Sequence, residues 1–343
     1  MLHLRYYPFD LAFEYPFTIA KGTKTHQPVL VVSLGLGQLR GHGEAPAIHY
    51  YNVSVTDMIA TLQEKKNMIE RYALTDPQRF WHFLHHLIPG QNFLIAALDI
   101  AGWDLFAQMR RMPLYRILGI NWRPPVSDYT LGSDVADVMI EKMKAHPSPV
   151  YKVKFTKSAD IDLLRTLRQH TTAPFRIDAN ESLLFDDVKA LLPELQALGV
   201  DMIEQPLPKT EWEAMKELKA ISTIPLFADE SCVEEEDVAL CADSFHGINI
   251  KLTKCGGITP ALRMIQDARK RGLKVMLGTM NESTIGSAAL AHIAPVVDAL
   301  DADGPLLLKE DVADGLRYDN GNIQISGAPG LGIRFRGEKF ATK

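Results

Sequence analysis

The sequence predicts an α/β protein: an eight-stranded parallel barrel preceded by an α+β domain. Three observations predict it. Between residues 126 and 314, short apolar runs of strand length alternate with amphipathic stretches of helical period. The alternation recurs, with landmarks at Lys154, Asp178, Glu204, Asp229, Lys251, Thr279 and Asp301. Residues 1–125 instead carry glycine-punctuated strand patterns and then long helical ones.

In chain order, YPFTIAKGT and PVLVVSLGLGQLRGHGEAP read as antiparallel strands with glycine turns. DMIATLQEKKNMIERYA and NFLIAALDIAGWDLFAQMRRM read as helices. The barrel strands are VSDYTLG, VYKVKF, PFRIDA, DMIEQP, PLFADE, GINIKL, KVMLGT and VVDALDAD. IDLLRTLRQH, DDVKALLPELQALG, EWEAMKELKAIS and ALRMIQDARKRG supply crossover helices. Right-handed crossovers close eight such units into a ring. A doubly wound open sheet also accommodates alternation, but no GxGxxG opens the first βα turn. The segment LRYDNGNIQISGAPGLGIRF, within the tail 315–343, has strand and turn character and is expected to pack back on the first domain.

Composition bounds the function. A net charge of −5 over 343 residues argues against nucleic acid or an anionic membrane as partner. The start, MLHLRYYPFD, lacks a basic-then-apolar leader, and no apolar run approaches spanning length. Cys232, Cys241 and Cys255 lie apart with no CxxC, which fits a reducing, cytoplasmic setting. Eleven histidines without an HExxH spacing argue against a zinc enzyme.

In such barrels chemistry gathers at the C-terminal strand ends. Those ends carry Lys152 and Lys154 on the second strand, Asp178 on the third, Glu204 on the fourth, Asp229 on the fifth, Lys251 on the sixth, and Asp301 and Asp303 on the eighth. Asp178, Glu204 and Asp229 would repel one another unless a cation joined them. Their all-oxygen character points to Mg²⁺, with Mn²⁺ as the alternative. Strands two and six are diametrically opposite in an eight-membered ring, so Lys154 and Lys251 are expected to face each other across the mouth. Removing a carboxylate's α-proton needs a Lewis acid to stabilise the enediolate and a poised base. A lysine serves only where its neutral form is accessible, and a second ammonium two residues away, Lys152, favours that form by like-charge repulsion. Two bases on opposite faces imply inversion by a 1,1-proton transfer. Asp301 and Asp303, across from the metal, suit a cationic group at the far end of a small-molecule substrate.

These segments resemble a known family. YKVKF is similar to the KxK motif of the muconate cycloisomerase subgroup of the enolase superfamily, and RIDANES, MIEQPL, FADES and NIKLTKCGGI resemble its three metal-ligand segments and its opposite-lysine segment. GHGEAP and AALDIAGWDLFAQMRRMPLYRILG resemble its capping-domain signatures. The resemblance spans nearly the whole chain. It implies a (β/α)7β modified TIM barrel with a cap formed by 1–125 and completed by the tail, and it allows a homo-oligomer.

Within that subgroup DADGP resembles the motif by which dipeptide epimerases hold an α-ammonium, and FTIAKGTKT resembles the specificity loop of L-Ala-D/L-Glu epimerases. The resemblance therefore implies a Mg²⁺-dependent epimerase inverting the C-terminal residue of a dipeptide, either murein-derived L-Ala-D-Glu or a related hydrophobic or cationic dipeptide. It makes Lys24, Thr130, Lys152, Thr279, Met280, Asp301 and Asp303 substrate contacts. Two departures stand out: DANESL replaces the usual DANxGW, and a lysine, Lys24, stands where an arginine meets the acidic side chain. The competing readings are o-succinylbenzoate synthase, N-acylamino-acid racemase and muconate cycloisomerase, whose substrates carry no ammonium for the acidic pair. A non-catalytic binding barrel would be expected to lack a lysine or a ligand. Lys254 is a second candidate base, but strand alternation places it beyond the strand end. His42 reads as a structural cap-interface histidine, Glu230 as facing away from the metal, and Cys255-Gly256-Gly257 as a close-packing turn.

Overall fold

The computed structural model describes residues 1–19 and 22–337. Strands β1 (His3–Ile19), β2 (Gly22–Leu36) and β3 (Leu39–Pro46) form an antiparallel sheet. The β1–β2 register breaks between Ala12 and Phe17. There β1 leaves its partner and bridges the segment that follows the last barrel strand, Phe13 against Leu308. The tip beyond the break is tied to the barrel rim, where the Ser133 amide donates to the Thr18 carbonyl.

Helices α1 (Val55–Arg71), α2 (Pro77–Leu87) and α3 (Asn92–Met109) follow. α3 is apolar almost all round and buried from Phe93 to Leu105, as a helix sandwiched between two layers must be. On one side it meets β3, where a Cβ on Gly41 or Gly43 would collide with the Ala101 or Ala97 carbonyl oxygen. That contact explains the glycines of GHGEAP. On the other side Asp99 accepts from the Thr259 amide (3.0 Å) and hydroxyl (2.8 Å), and the Trp103 indole donates to that hydroxyl. The cap thus grips the start of the barrel helix Ile258–Lys270. Gly43→Ala is expected to cost about 3 kcal/mol, since backbone rather than a mobile side chain would have to move. Urea denaturation should show the loss, and an unchanged midpoint would contradict the packing.

The barrel strands are β4 (Tyr129–Leu131), β5 (Tyr151–Lys154), β6 (Phe175–Asp178), β7 (Val200–Glu204), β8 (Leu226–Ala228), β9 (Gly247–Ile250), β10 (Lys274–Gly278) and β11 (Ala299–Asp301). They run parallel in sequence order, and a parallel bridge from Ser127 to Leu300 closes the ring. Met202, Phe227, Met276 and Ala299, all on barrel strands, form a separate buried apolar cluster. Arg176 and Asp128 form a buried ion pair. The tail adds β12 (Ala313–Asp314), β13 (Leu316–Asp319), β14 (Asn322–Ile325) and β15 (Arg334–Phe335). It touches the first unit through Leu331, whose amide donates to Asp104, and through Phe335 on Tyr7 and His42. It touches the barrel too, where the Ser127 amide donates to the Gly321 carbonyl. The tail therefore packs on the first unit and also touches the barrel. No helix among the described residues is long and apolar enough to cross a membrane.

Candidate active site

Register builds the site. Lys154, Asp178 and Glu204 are direct cross-strand partners on β5, β6 and β7, with Asp229 one residue past β8 and Lys251 one past β9. All five are buried, and so are Lys152, Asp301 and Asp303. Lys154 donates to Asp178 Oδ2 at 2.6 Å and to Asn180 Oδ1 at 3.3 Å. Lys251 donates to Asp229 Oδ2 at 2.7 Å. Lys152 reaches Glu204 at 2.8 Å, Asp301 at 2.9 Å and Asp178 at 3.2 Å.

The last arrangement corrects a simple expectation. Lys152 does not press on Lys154 as a bare like charge, because three carboxylates surround its ammonium. Burial alone would lower Lys152, but Asp301, Glu204 and Asp178 hold it well above the ordinary lysine value. Burial would likewise raise Asp178, yet Lys154 and Lys152 bring it down to about 2. Glu204 is pushed up by burial and then by the charge of Asp178. Asn249, one alternation below Lys251, steadies Glu204 through a 2.8 Å bond from its amide nitrogen. Gly278 lies so close to Asn249 that a Cβ there would meet its amide oxygen at 2.7 Å.

The three carboxylates fit a hard divalent cation in donor type and in their placement on adjacent strand ends. Lysine ammoniums lie against all three carboxylates, and among the described residues no three Asp, Glu, His or Cys side chains already converge as a closed metal cage. Burial first and then the charge of Asp178 raise Glu204, and a cation would relieve that repulsion.

Above them a small cavity is lined by Phe17, Ile19, Tyr50, Thr130, Lys152, Lys154, Asn180, Lys251, Thr279, Met280, Asn281, Asp301 and Asp303. Both candidate bases and the acidic pair therefore share one chamber. At its far end the Thr130 amide donates to Asp303 Oδ2 at 2.6 Å. Burial and then the neighbouring Asp301 push Asp303 up to about 8. Among the described residues no lysine or arginine pairs with it, whereas Asp301 has Lys152.

Lys24 is not brought into the chamber. It stands opposite Phe17 on the hairpin, and its Nζ donates to Gln27 Oε1 at 3.1 Å. Lys254 departs from the alternation reading in another way. The chain turns into the short helix Leu252–Cys255, which folds Lys254 back into the interior. There Nζ donates to the Asp229 carboxylate (2.6 Å) and to the carbonyls of Asp229 and Cys232. It holds a carboxylate from behind and does not reach the chamber. Asn180 links Lys154 to Glu230, accepting from one and donating to the other at 3.3 Å.

Several contributors had little signal in sequence. Tyr50 and Ile19 carry no charge and no motif spacing. Glu44 was visible only as part of GHGEAP. It accepts from the Ser283 amide at 2.9 Å, the Ser283 hydroxyl at 2.5 Å and the Gly286 amide at 3.2 Å, and so fixes the loop carrying Thr279, Met280 and Asn281. Burial pushes its carboxyl up to about 8.

The chain resembles known proteins over nearly its whole length. Residues 6–119 match the family described as mandelate racemase / muconate lactonizing enzyme, N-terminal domain, and residues 134–339 match enolase C-terminal domain-like. The chain is similar to an L-Ala-D/L-amino acid epimerase of Flavobacterium johnsoniae, 41% identical, covering 95% of this chain and 97% of that one. An L-Ala-D/L-Glu epimerase of Bacteroides thetaiotaomicron is 33% identical, covering 97% and 88%. A dipeptide epimerase of Methylococcus capsulatus, solved with Mg and the dipeptide L-Arg-D-Lys, superposes with a TM-score of 0.90 at 30% identity, covering 98% and 99%.

Proposed function

Since this chain belongs to the mandelate racemase/muconate lactonizing enzyme family of the enolase superfamily, we propose that Lys154 and Lys251 are the paired bases of its reaction. The enzyme is a dipeptide epimerase, an isomerase that inverts the α-carbon of the dipeptide's C-terminal residue. Residues 1–125 serve as the cap and 126–314 as the catalytic barrel.

Asp178, Glu204 and Asp229 would hold Mg²⁺, with Mn²⁺ as a functional substitute. When bound, the cation supplies positive charge to offset what builds up on the substrate carboxylate as the α-proton leaves. Lys154 and Lys251 reach the chamber from opposite sides of the ring, one to take the α-proton and the other to return a proton to the opposite face. Lys152 ties the metal-side carboxylates to Asp301, and Lys254 keeps Asp229 oriented. The observation that carries the dipeptide reading is Asp303, a buried acid lining the same chamber as both lysines and without a cationic partner among the described residues. A substrate ammonium would complete it, and neither an N-acylated amino acid nor a muconate provides one.

The test is deuterium exchange at the C-terminal α-carbon in D₂O, with Mg²⁺ and a mixed dipeptide library, read by mass spectrometry. Dipeptides gaining one deuterium support the reading, and chelation by EDTA should abolish exchange until Mg²⁺ is restored. No exchange in any dipeptide by metal-loaded protein would move the assignment to a succinylated or cyclohexadienyl acid.

A further inference from the structure

Resting on the dipeptide-epimerase reading, we infer that the pocket for the side chain of the epimerised residue is apolar. Phe17, Ile19, Tyr50 and Met280 then select dipeptides with an uncharged, apolar C-terminal residue over those ending in glutamate.

The α-carbon has four bonds. One, to hydrogen, lies on the axis between Lys154 and Lys251. A second leads to the carboxylate, on the side of Asp178, Glu204 and Asp229. A third leads through the peptide nitrogen toward the ammonium, at Asp301 and Asp303. The side chain must leave by the wall that remains. The rest of the lining comprises Phe17 and Ile19 from the hairpin tip, Tyr50 from the cap, Thr279, Met280 and Asn281 from the loop after β10, Asn180, and Thr130 beside Asp303. Four of these are apolar or aromatic, and the two threonines and two asparagines are uncharged.

The wall is set before any substrate arrives. The Tyr50 hydroxyl donates to Met280 Sδ at 3.7 Å, joining cap to barrel. Burial pushes that hydroxyl well above the usual phenol range, so it stays neutral. The Met280 amide is held by Glu282 Oε2 at 2.7 Å, and the same loop is clamped by Glu44 at Ser283. The hairpin tip is anchored through Thr18 to Ser133.

A glutamate side chain entering here would lose water and meet no cation among the described lining residues other than the three barrel lysines. Lys24, the hairpin cation that could answer it, is engaged by Gln27. Gln27 is itself fully buried and fixed by its amide nitrogen to the carbonyls of Pro28 and Ala47. Lys21 lies outside the described residues. A leucine, methionine or phenylalanine side chain instead covers Phe17, Ile19 and Met280 and removes apolar surface from water.

The experiment compares kcat/KM, by α-proton exchange with Mg²⁺, for L-Ala-L-Leu, L-Ala-L-Met, L-Ala-L-Phe and L-Ala-L-Glu. At least a tenfold preference for the apolar three is expected. Exchange with L-Ala-L-Glu as fast as or faster than with the others overturns the inference and leaves the epimerase reading standing. No exchange with any dipeptide overturns that reading itself. Met280→Arg should reverse the order by placing a cation in the wall. If that variant does not fold, Ile19→Arg on the half-buried hairpin tip should narrow the preference by the same logic. Lys24→Ala should leave the glutamate-to-leucine ratio unchanged, and a selective collapse of glutamate turnover would show Lys24 reaching in and sink the proposal.

Discussion

Lys251→Ala is expected to lower epimerisation at least a thousandfold while one isomer of the substrate still exchanges its α-proton. A positioned acid–base group contributes about 10²–10⁴ in rate, and a thousandfold corresponds to about 4 kcal/mol of barrier. Lys251 lies one residue past β9 and Lys154 ends β5, strands separated in the ring by β6, β7 and β8. On the proposed assignment, each lysine would reach one face of a carbon held between them. With Lys251 gone, Lys154 still faces the α-proton of one configuration, which should wash out into D₂O without inversion. The other configuration should be inert. Lys154→Ala should give the mirror result, with the active isomer exchanged. Proton NMR of each pure isomer in D₂O reads both outcomes. Full turnover by either variant, or the same surviving isomer in both, would end the two-base assignment. Thermal denaturation should confirm that both variants fold. Each substitution leaves a buried carboxylate, Asp229 or Asp178, without one of its ammonium partners, so a modest loss of stability is expected.

Asp303→Asn should separate dipeptides from N-acylated amino acids. Asp303 is buried and raised to about 8 because burial and Asp301 both disfavour its charge. A substrate ammonium placed there would supply the missing cation and make a charge-assisted bond. Replacing the carboxyl by an amide keeps an oxygen acceptor for the Thr130 amide, so local structure should survive. It removes the charge. A loss of about 100-fold in kcat/KM, about 2.7 kcal/mol, is expected for L-Ala-L-Leu, and a change of no more than about threefold for N-acetyl-L-leucine, where no ammonium exists to lose. Equal losses for both would mean that Asp303 orders the rim and does not recognise the ammonium.

One-dimensional pattern carries three-dimensional meaning where the chain is periodic. Side chains alternate along a strand, so Lys152 with Lys154 and Asn249 with Lys251 follow from spacing alone. Sequential βα units place Asp178, Glu204 and Asp229 on neighbouring strands without any knowledge of distance. Pattern failed where the chain stops being periodic. Lys254 sits three residues past a lysine at a strand end, and only the turn Leu252–Cys255 folds it inward onto Asp229. Lys24 has the charge for a substrate contact, but its contact with Gln27 depends on the local path of a hairpin.

The barrel, the order of its charged strand ends and the class of reaction they permit are legible along the chain, because periodicity and chain order survive projection onto one dimension. The remaining features come from packing. It surrounded Lys152 with three carboxylates, left Asp303 without a cation among the described residues, and used Glu44 of the cap to fix a loop of the barrel. It also brought Tyr50 from the cap, Phe17 from the hairpin and Met280 from the barrel to one wall. Those residues are far apart in the chain, and their meeting depends on burial and packing between units, which local sequence does not encode.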